Sequence, residues 1–354
     1  MRLPRLHPRL RPRHPKVEKY FPSLALEFER LRAEIADRPV AIVGHARPDG
    51  DCIGSQVALA RVLTGLGHDV ICVNADSVPR RLEFLSRGMQ FQRTDEVLAR
   101  SEDRAAIFVD CADQARGGER LKAKYSLAVG VVDHHISNVR FGLVNVIDTA
   151  AAATCEILAG VFIDAGLTID AQTAQALYTG ILTDTGQFRF GATSRRCFLL
   201  AGELVARGAS PSEAGFQLYE RETPGKMQLL QRFLASLRFE AGGKVCLGSL
   251  PDGIFSETGT TTEDTEGLVD YARCIEGVEI GVLIEGRADG GVKASLRAKD
   301  PAVRVDQIAA QFGGGGHACA AGLNLKSGAE DFYARLVAAL TTRLAEVTER
   351  RGNL

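Results

Sequence analysis

Four short clusters of acidic and imidazole side chains could do chemistry in this chain. The first is His45, Asp49 and Asp51, within Gly44-His-Ala-Arg-Pro-Asp-Gly-Asp-Cys-Ile-Gly-Ser55. The second is Asp110, which ends Ile107-Phe-Val-Asp110. The third is Asp133-His134-His135, directly after Val129-Gly-Val-Val132, and the fourth is Asp184, after Tyr178-Thr-Gly-Ile-Leu-Thr183. Carboxylates two residues apart in a loop can both face one hard cation. A lone Asp after a strand is usually a turn or helix-capping residue, and Asp113 and Asp148 are assigned that way. A lone His at a strand end is usually a hydrogen-bonded structural residue. The group resists this reading. Five carboxylates and at least two imidazoles converging without a cation would repel one another strongly. Two divalent metals remove that repulsion, and oxygen-rich sites with some imidazole suit Mn²⁺ or Mg²⁺ better than thiolate-type zinc.

The surrounding sequence supplies elements to position these groups. Apolar, β-rich runs recur at Val40–Val43, Val70–Val73, Ala106–Val109, Leu127–Val132 and Leu143–Ile147. Helical stretches separate several of them, beginning with Leu24–Ile35. Alternating strands and helices argue for a parallel sheet covered on both faces. Three of the clusters then fall at one edge of that sheet, and the Asp184 cluster ends a helix that could carry its carboxylate over the edge. Ala-rich segments 150–165 and 170–183 are expected as covering helices, and 193–239 as a helical connection. A second α+β unit follows, with strands near 244–250, 278–285 and 291–297 and helices near 265–273, 303–311 and 328–349. The expected division is 1–20, a basic Pro-rich extension; 21–192, the metal-binding domain; 193–239, the connection; and 240–349, a smaller domain.

The bulk properties narrow the function classes. The 354 residues suffice for two domains with substantial cores. A formal net charge of −1 does not suit a surface built to hold long nucleic acid, but leaves room for a small anionic substrate in a locally basic pocket. Eight scattered cysteines without a Cys-x-x-Cys pair read as reduced, mostly buried thiols of a cytoplasmic protein. No run reaches the roughly 18–20 apolar residues of a membrane span. The opening MRLPRLHPRLRPRHPK lacks a secretory apolar core. It reads as a disordered extension or a misassigned start, with a basic arm touching nucleic acid as the alternative.

Taken together, His45-x-x-Pro48-Asp49-Gly50-Asp51-x-x-Gly54-Ser55, Asp110, Asp133-His134-His135 and Asp184 resemble the DHH phosphoesterase family. Gly313-Gly-Gly-Gly-His317 resembles the glycine-rich motif of the DHH-associated C-terminal domain. The resemblance spans roughly residues 25 to 345. The Pro-Asp-Gly-Asp form is similar to the family's short-oligonucleotide branch, whose members act on nanoRNA and pAp. RecJ-type exonucleases are similar but larger.

The resemblance implies an N-terminal parallel-sheet α/β domain, a helical connection and a smaller α+β C-terminal domain, with the active site in the cleft between them. It also implies two Mn²⁺ ions, with Mg²⁺ or Co²⁺ as substitutes. His45, Asp49 and Asp110 would hold one ion. Asp51, Asp110, His134 and Asp184 would hold the other, with Asp110 bridging. His135 would stand beside the scissile phosphate, stabilising its charge or assisting proton transfer. Ser295 and Arg297 look like the family's phosphate- or base-contacting strand, and Arg can clamp a phosphate bidentately. Gly314, Gly315, Gly316 and His317 read either as a hairpin loop or as a phosphate-binding backbone nest, and the resemblance favours the nest. Asp133, Arg189 and Ser55 are further candidates. Ser55 reads equally as a plain helix cap and as part of an anion-binding helix start. Arg189, within Gln187-Phe-Arg-Phe190, is expected on an edge strand, with Phe188 and Phe190 in the core.

The implied activity is hydrolysis of short RNA oligonucleotides to 5′-mononucleotides, with 3′-phosphatase action on pAp giving AMP. Alternatives are a phosphodiesterase for cyclic di-AMP or pApA, and a non-catalytic nucleotide-binding module. A related pyrophosphatase shares the first-half motifs, but its second domain lacks a loop like 313–317. Homodimerisation fits the family, and no membrane association is expected.

Overall fold

The computed structural model describes residues 19–326 and 331–352. All but the last two residues of the expected basic extension lie outside them. The chain divides into two compact units, Met1–Arg221 and Glu222–Leu354.

The first unit is built on a parallel sheet of β1 (Val40–Val43), β2 (Val70–Asn74), β3 (Phe91–Arg93), β4 (Ala105–Val109), β5 (Ala128–Asp133) and β6 (Gly142–Ile147). Their spatial order is β3-β2-β1-β4-β5-β6, and every neighbouring pair is parallel. Every residue of β1, β4 and β5 is buried, which is why those strands read as continuous apolar runs. Strand β3 was not anticipated. It is a three-residue edge strand, only partly buried, and carries no such run. The chain winds outward from β1 in one direction to β2 and β3, then returns to place β4 on the other side of β1. In a doubly wound sheet this reversal opens a crevice at the carboxyl ends of the two central strands. The loop after β1 carries His45 and Asp49, β4 leads directly into Asp110, and β5 ends at Asp133 and leads into His134 and His135.

Two packed helices bring Asp51 and Asp184 to that crevice. The helix Gly50–Gly65 lies against Ala171–Asp184 through glycines. A methyl group at Gly54 would approach the Ala176 carbonyl oxygen to 2.5 Å, and one at Gly50 or Gly180 would collide with Thr183 or Cys155. The missing side chains let the two helices approach closely, so Asp51 on one and Asp184 at the end of the other share the same space. The helix Thr154–Asp164 is buried on nearly all sides of its first three turns. Residues 193–239 are shared between the units: the helices Arg195–Ala206 and Pro211–Tyr219 belong to the first, and Pro224–Ala235 to the second.

The second unit contains β7 (Arg238–Glu240), β8 (Val245–Leu250), β9 (Ile280–Gly286), β10 (Val292–Ala298), β11 (Gly315–His317) and β12 (Ala320–Leu325), in the order β11-β12-β10-β9-β8-β7. Only β8 and β9 pair in parallel, so the sheet is mixed. Its apolar face packs against the helices Val305–Ala310 and Phe332–Gly352, through Val305, Ile308, Phe332, Leu336 and Leu340. The fold is thus an α/β domain followed by an α+β domain. Among the described residues no helix is long and apolar enough to cross a membrane, and all eight cysteines are free thiols.

Candidate metal centre

Asp49 begins the site by ending the loop after β1. Its Oδ1 accepts the backbone N–H groups of Asp51 and Cys52, both at 3.1 Å, and so caps the helix that starts at Gly50. The helix therefore begins ahead of the sequence reading, which put Ser55 at its start. Ser55 consequently sits in the second turn, fully buried, with Oγ 3.2 Å from Cys155 Sγ. It neither caps the helix nor faces an anion, which corrects both readings of that residue.

Asp51 is completely buried. Its Oδ2 accepts Thr154 N at 2.6 Å and its Oδ1 accepts Cys155 N at 2.8 Å. The helix Thr154–Asp164 starts after Ala153, which offers no side-chain cap, so Asp51 satisfies its orphan donors from elsewhere in the chain.

Asp110 follows β4 with φ of +57°, a left-handed conformation uncommon outside glycine. Its N–H bonds Val132 O at 3.0 Å, and Thr154 Oγ1 donates to its Oδ1 at 3.1 Å. The carboxylate then faces two ways. Oδ2 lies 3.3 Å from His45 Nε2, and Oδ1 lies 3.6 Å from His134 Nε2. His45 Nε2 is 3.7 Å from Asp49 Oδ1, while His134 Nε2 is 3.3 Å from Asp184 Oδ2. The far nitrogens are held by the backbone: His45 Nδ1 is 2.9 Å from Ala46 O, and His134 Nδ1 is 3.3 Å from Ala151 O. Donation from Nδ1 leaves each Nε2 lone pair aimed at the carboxylates, the arrangement found in metal-binding imidazoles.

Ligand atoms lie within 4.8 Å of one another in three overlapping sets: His45, Asp49 and Asp110; Asp51, His134 and Asp184; and Asp110, His134 and His135. Burial and mutual repulsion push the Asp184 carboxyl up to about 6, against the pull of its His134 hydrogen bond. Burial, with Asp110 and Asp184 beside it, holds Asp51 well above the usual range. His134 is driven up to about 11: burial opposes this, and its bond to Asp184 and the charges of Asp110 and Asp51 prevail. Burial likewise opposes ionisation at Asp110, but His45, His134 and His135 hold it below the ordinary carboxylate range. Buried carboxylates that oppose one another's ionisation at Asp51 and Asp184, and raise the neighbouring imidazole of His134, call for positive charge. Their oxygen-rich donor set fits a hard divalent cation.

His135 has a different support. Its Nδ1 lies 2.7 Å from Oδ1 of Asp133, a fully buried carboxylate whose Oδ2 accepts Asn138 Nδ2 at 2.6 Å. Asn138 Nδ2 also donates to Cys111 O at 3.0 Å. Asp133 thus orients an imidazole and belongs to none of the three sets. Asn138 and Thr154 were missed in the sequence, where each looks like an ordinary turn or helix-start residue. The segment that supplies Ala151 O is fixed in turn by buried Glu156, which accepts Ala152 N at 2.6 Å and Arg196 Nε at 2.8 Å.

Arg189 is not gathered into this cluster. Gln187-Phe-Arg-Phe190 forms a turn rather than an edge strand, with φ of +63° at both Gln187 and Phe188. Arg189 is exposed and its Nε donates to Gly186 O at 2.7 Å. Phe190 is 46% exposed, so its expected core position is also corrected.

In the second unit the candidate residues fall into two rows across the sheet. Ser295 pairs with Gly322, which pairs with Gly315; Arg297 pairs with Ala320, which pairs with His317. Two strand spacings separate Arg297 from the His317 backbone, about 9–10 Å. The side chain of His317 lies outside the described residues. Ser295 and Arg297 alternate with buried Ala294, Leu296 and Ala298 and share the partly exposed face of β10. Burial lowers the Arg297 pKa. The last two glycines of the run open the edge strand β11. A side chain at Gly314 would strike Gly322 O, and Gly316, with φ of +147°, lies against Ala320 O.

The chain has counterparts among known proteins. The model of the DHH family, N-terminal domain, matches residues 39–181, and the DHHA1 domain model matches residues 242–346. The chain is 32% identical over 335 residues to the bifunctional oligoribonuclease and PAP phosphatase NrnA of Thermus thermophilus, covering 92% of this chain and 96% of that protein. It is 26% identical over 287 residues to the Bacillus subtilis protein of the same name, covering 80% and 88%. An exopolyphosphatase-related protein from Bacteroides fragilis shares the fold, with a TM-score of 0.83 at 23% identity over 90% of this chain and 96% of that one. The chain belongs to the DHH family. It is a hydrolase acting on phosphoester bonds.

Proposed function

We propose that this protein is a two-metal phosphodiesterase that hydrolyses short oligoribonucleotides to 5′-mononucleotides and removes the 3′-phosphate of pAp to give AMP. The observation that carries the two-metal reading is the Asp110 carboxylate, whose two oxygens face different imidazoles, His45 at 3.3 Å and His134 at 3.6 Å. His45, Asp49 and Asp110 would hold one ion, and Asp51, Asp110, His134 and Asp184 the other, with Mn²⁺ the first choice and Mg²⁺ or Co²⁺ as substitutes. The relatives that cover most of this chain support the substrate assignment by their names, oligoribonuclease and PAP phosphatase.

Bound divalent cations supply neutralisation of phosphate charge and acidification of water. The chain's own groups do the positioning. Backbone amides of Thr154 and Cys155 fix Asp51, and Thr154 Oγ1 fixes Asp110. Asp133 holds the His135 imidazole so that it presents Nε2 to the reacting phosphate, stabilising its charge or moving a proton to the leaving oxygen. Arg297, Ser295 and the sheet edge at Gly314–Gly316, with His317, bind a second group of the substrate. Buried free thiols suit work in a reducing cytoplasm.

The test is to incubate purified protein and Mn²⁺ with pAp, RNA of graded length, cyclic di-AMP, pApA and pyrophosphate, and to rank kcat/KM. Short RNA and pAp should lead. A clear preference for long RNA, cyclic di-AMP or pyrophosphate would overturn the reading.

A further inference from the structure

The turn that follows Asp184 supports a feature that the metal chemistry does not use. Three successive amides fold it back onto one residue. Phe188 N donates to Thr185 Oγ1 at 3.0 Å, while Arg189 N and Phe190 N donate to Thr185 O at 2.9 and 3.0 Å. Gln187 and Phe188 both take left-handed backbone conformations, a strained arrangement that persists only when its surroundings hold it. Its result is to direct the Phe188 ring into a ladder of aromatic side chains. Tyr178, buried, lies 6.3 Å from Phe188 between ring centroids. Phe188 stacks on Phe198 at 5.2 Å with 23° between planes. Phe198 is 56% exposed and ends the ladder in solvent. Beside it in the chain, the Phe190 ring packs on Gly186, two residues from Asp184, and Arg189 projects from the same turn.

We infer that Phe198, backed by Phe188, is a stacking platform for a nucleobase of the substrate, and thus a specificity-determining residue for base-bearing phosphoesters. The inference rests on the nucleotide reading above. A core role does not explain a near-parallel ring pair that ends in solvent. A flat ring with one exposed face suits a partner with a π-face, and aromatic platforms of this kind hold single-stranded nucleic acid with little base preference. The turn that carries the backing ring Phe188 directly follows the metal-site residue Asp184, which links the platform to that site through the chain. The Arg189 guanidinium adds positive charge on the same turn, complementary to a neighbouring phosphate.

The experiment compares a 5′-phosphorylated diadenylate with the same molecule made abasic at one nucleoside or the other, on wild type, Phe198→Ala and Phe198→Trp. Phe198→Ala should raise KM for the diadenylate about tenfold, the loss expected for one stacked base, with kcat moving far less and Phe198→Trp recovering the affinity. The wild-type KM penalty for removing one of the bases should shrink toward unity in Phe198→Ala. An undiminished penalty in a variant with wild-type circular dichroism overturns the platform while leaving the proposed activity standing. Should wild type hydrolyse neither dinucleotide, the proposed activity fails separately, and binding decides the platform. A 2-aminopurine dinucleotide should then be quenched by wild type and not by Phe198→Ala, and equal quenching, or no binding, overturns it.

Discussion

Asp51 and Thr154 stand 103 residues apart, yet the Asp51 carboxylate caps the helix that Thr154 begins, with 2.6 Å between Oδ2 and the Thr154 amide. One side chain both starts a buried helix and supplies a candidate metal ligand. Asp51→Asn keeps the size but puts an NH₂ group against one of two backbone donors. Leaving a buried donor unpaired costs about 1–3 kcal/mol. Urea denaturation of the metal-free protein should show a loss of that order, and added Mn²⁺ should stabilise the variant much less than wild type.

Asp184 should behave in the opposite sense without metal. Its folded-state pKa of about 6 lies above the ordinary 3.8. The folded protein then binds more protons than the unfolded chain between those values, so this group lowers stability as pH rises from about 4 to 6 and keeps it lowered above that. Asp184→Asn removes this titration, so the metal-free variant should lose about 1–3 kcal/mol less stability than wild type between pH 4 and pH 6.5. Denaturation in chelator at the two pH values measures both losses. A variant whose loss equals that of wild type would contradict the repulsion argument.

His135 depends on Asp133 for its tautomer and orientation. Asp133→Asn should reduce kcat by about 10²-fold or more, the scale of general acid–base catalysis. Mn²⁺ affinity, read by electron paramagnetic resonance of the free ion, should stay near that of wild type. A parallel collapse of affinity would make Asp133 a ligand instead.

Arg297→Ala should act mainly on KM. Loss of a charge-assisted hydrogen bond costs about 1.5–3 kcal/mol, or roughly ten- to a hundredfold in KM. Arg297→Lys should recover only part of this, because an ammonium cannot fork onto a phosphate. A kcat effect with unchanged KM would put Arg297 at the reacting phosphate.

Gly314→Ala probes the second sheet. The added methyl collides with Gly322 O and Leu323, and overpacking of this kind costs about 1–3 kcal/mol. Its unfolding midpoint should fall, whereas Gly315→Ala, with open space around it, should unfold close to wild type.

Much of the first unit was legible because buried parallel strands are unbroken apolar runs, as in Val40–Val43 and Ala105–Val109. Strands β7 and β11 were not. Arg238-Phe-Glu240 is short and mostly exposed, and Gly315-Gly-His317 carries no β-forming side chain. At the site, residue type and spacing brought His45, Asp49, Asp51, Asp110, His134 and Asp184 into one argument. What spacing cannot reveal is contact across the chain. Asp51 with Thr154, and Arg196 with Glu156 behind the Ala151 carbonyl, depend on how helices pack. Ser55 was misread as a helix start because a serine after a glycine suits a cap, when Gly54 before it lacks a side chain to pack closely on Ala176. The alternation Phe-Arg-Phe imitated a strand, and only the backbone angles of Gln187 and Phe188 reveal the turn.

The left-handed backbone at Asp110 has a consequence for how the gene can change. Glycine and asparagine both accept that conformation more readily than aspartate, and each is one nucleotide substitution away from an aspartate codon. Either would relax the backbone, but either would also remove an anion that His45, His134 and His135 stabilise in the fold. Backbone relief and lost ion pairing therefore oppose each other here, so drift at this position is checked by folding as well as by any demand the site makes.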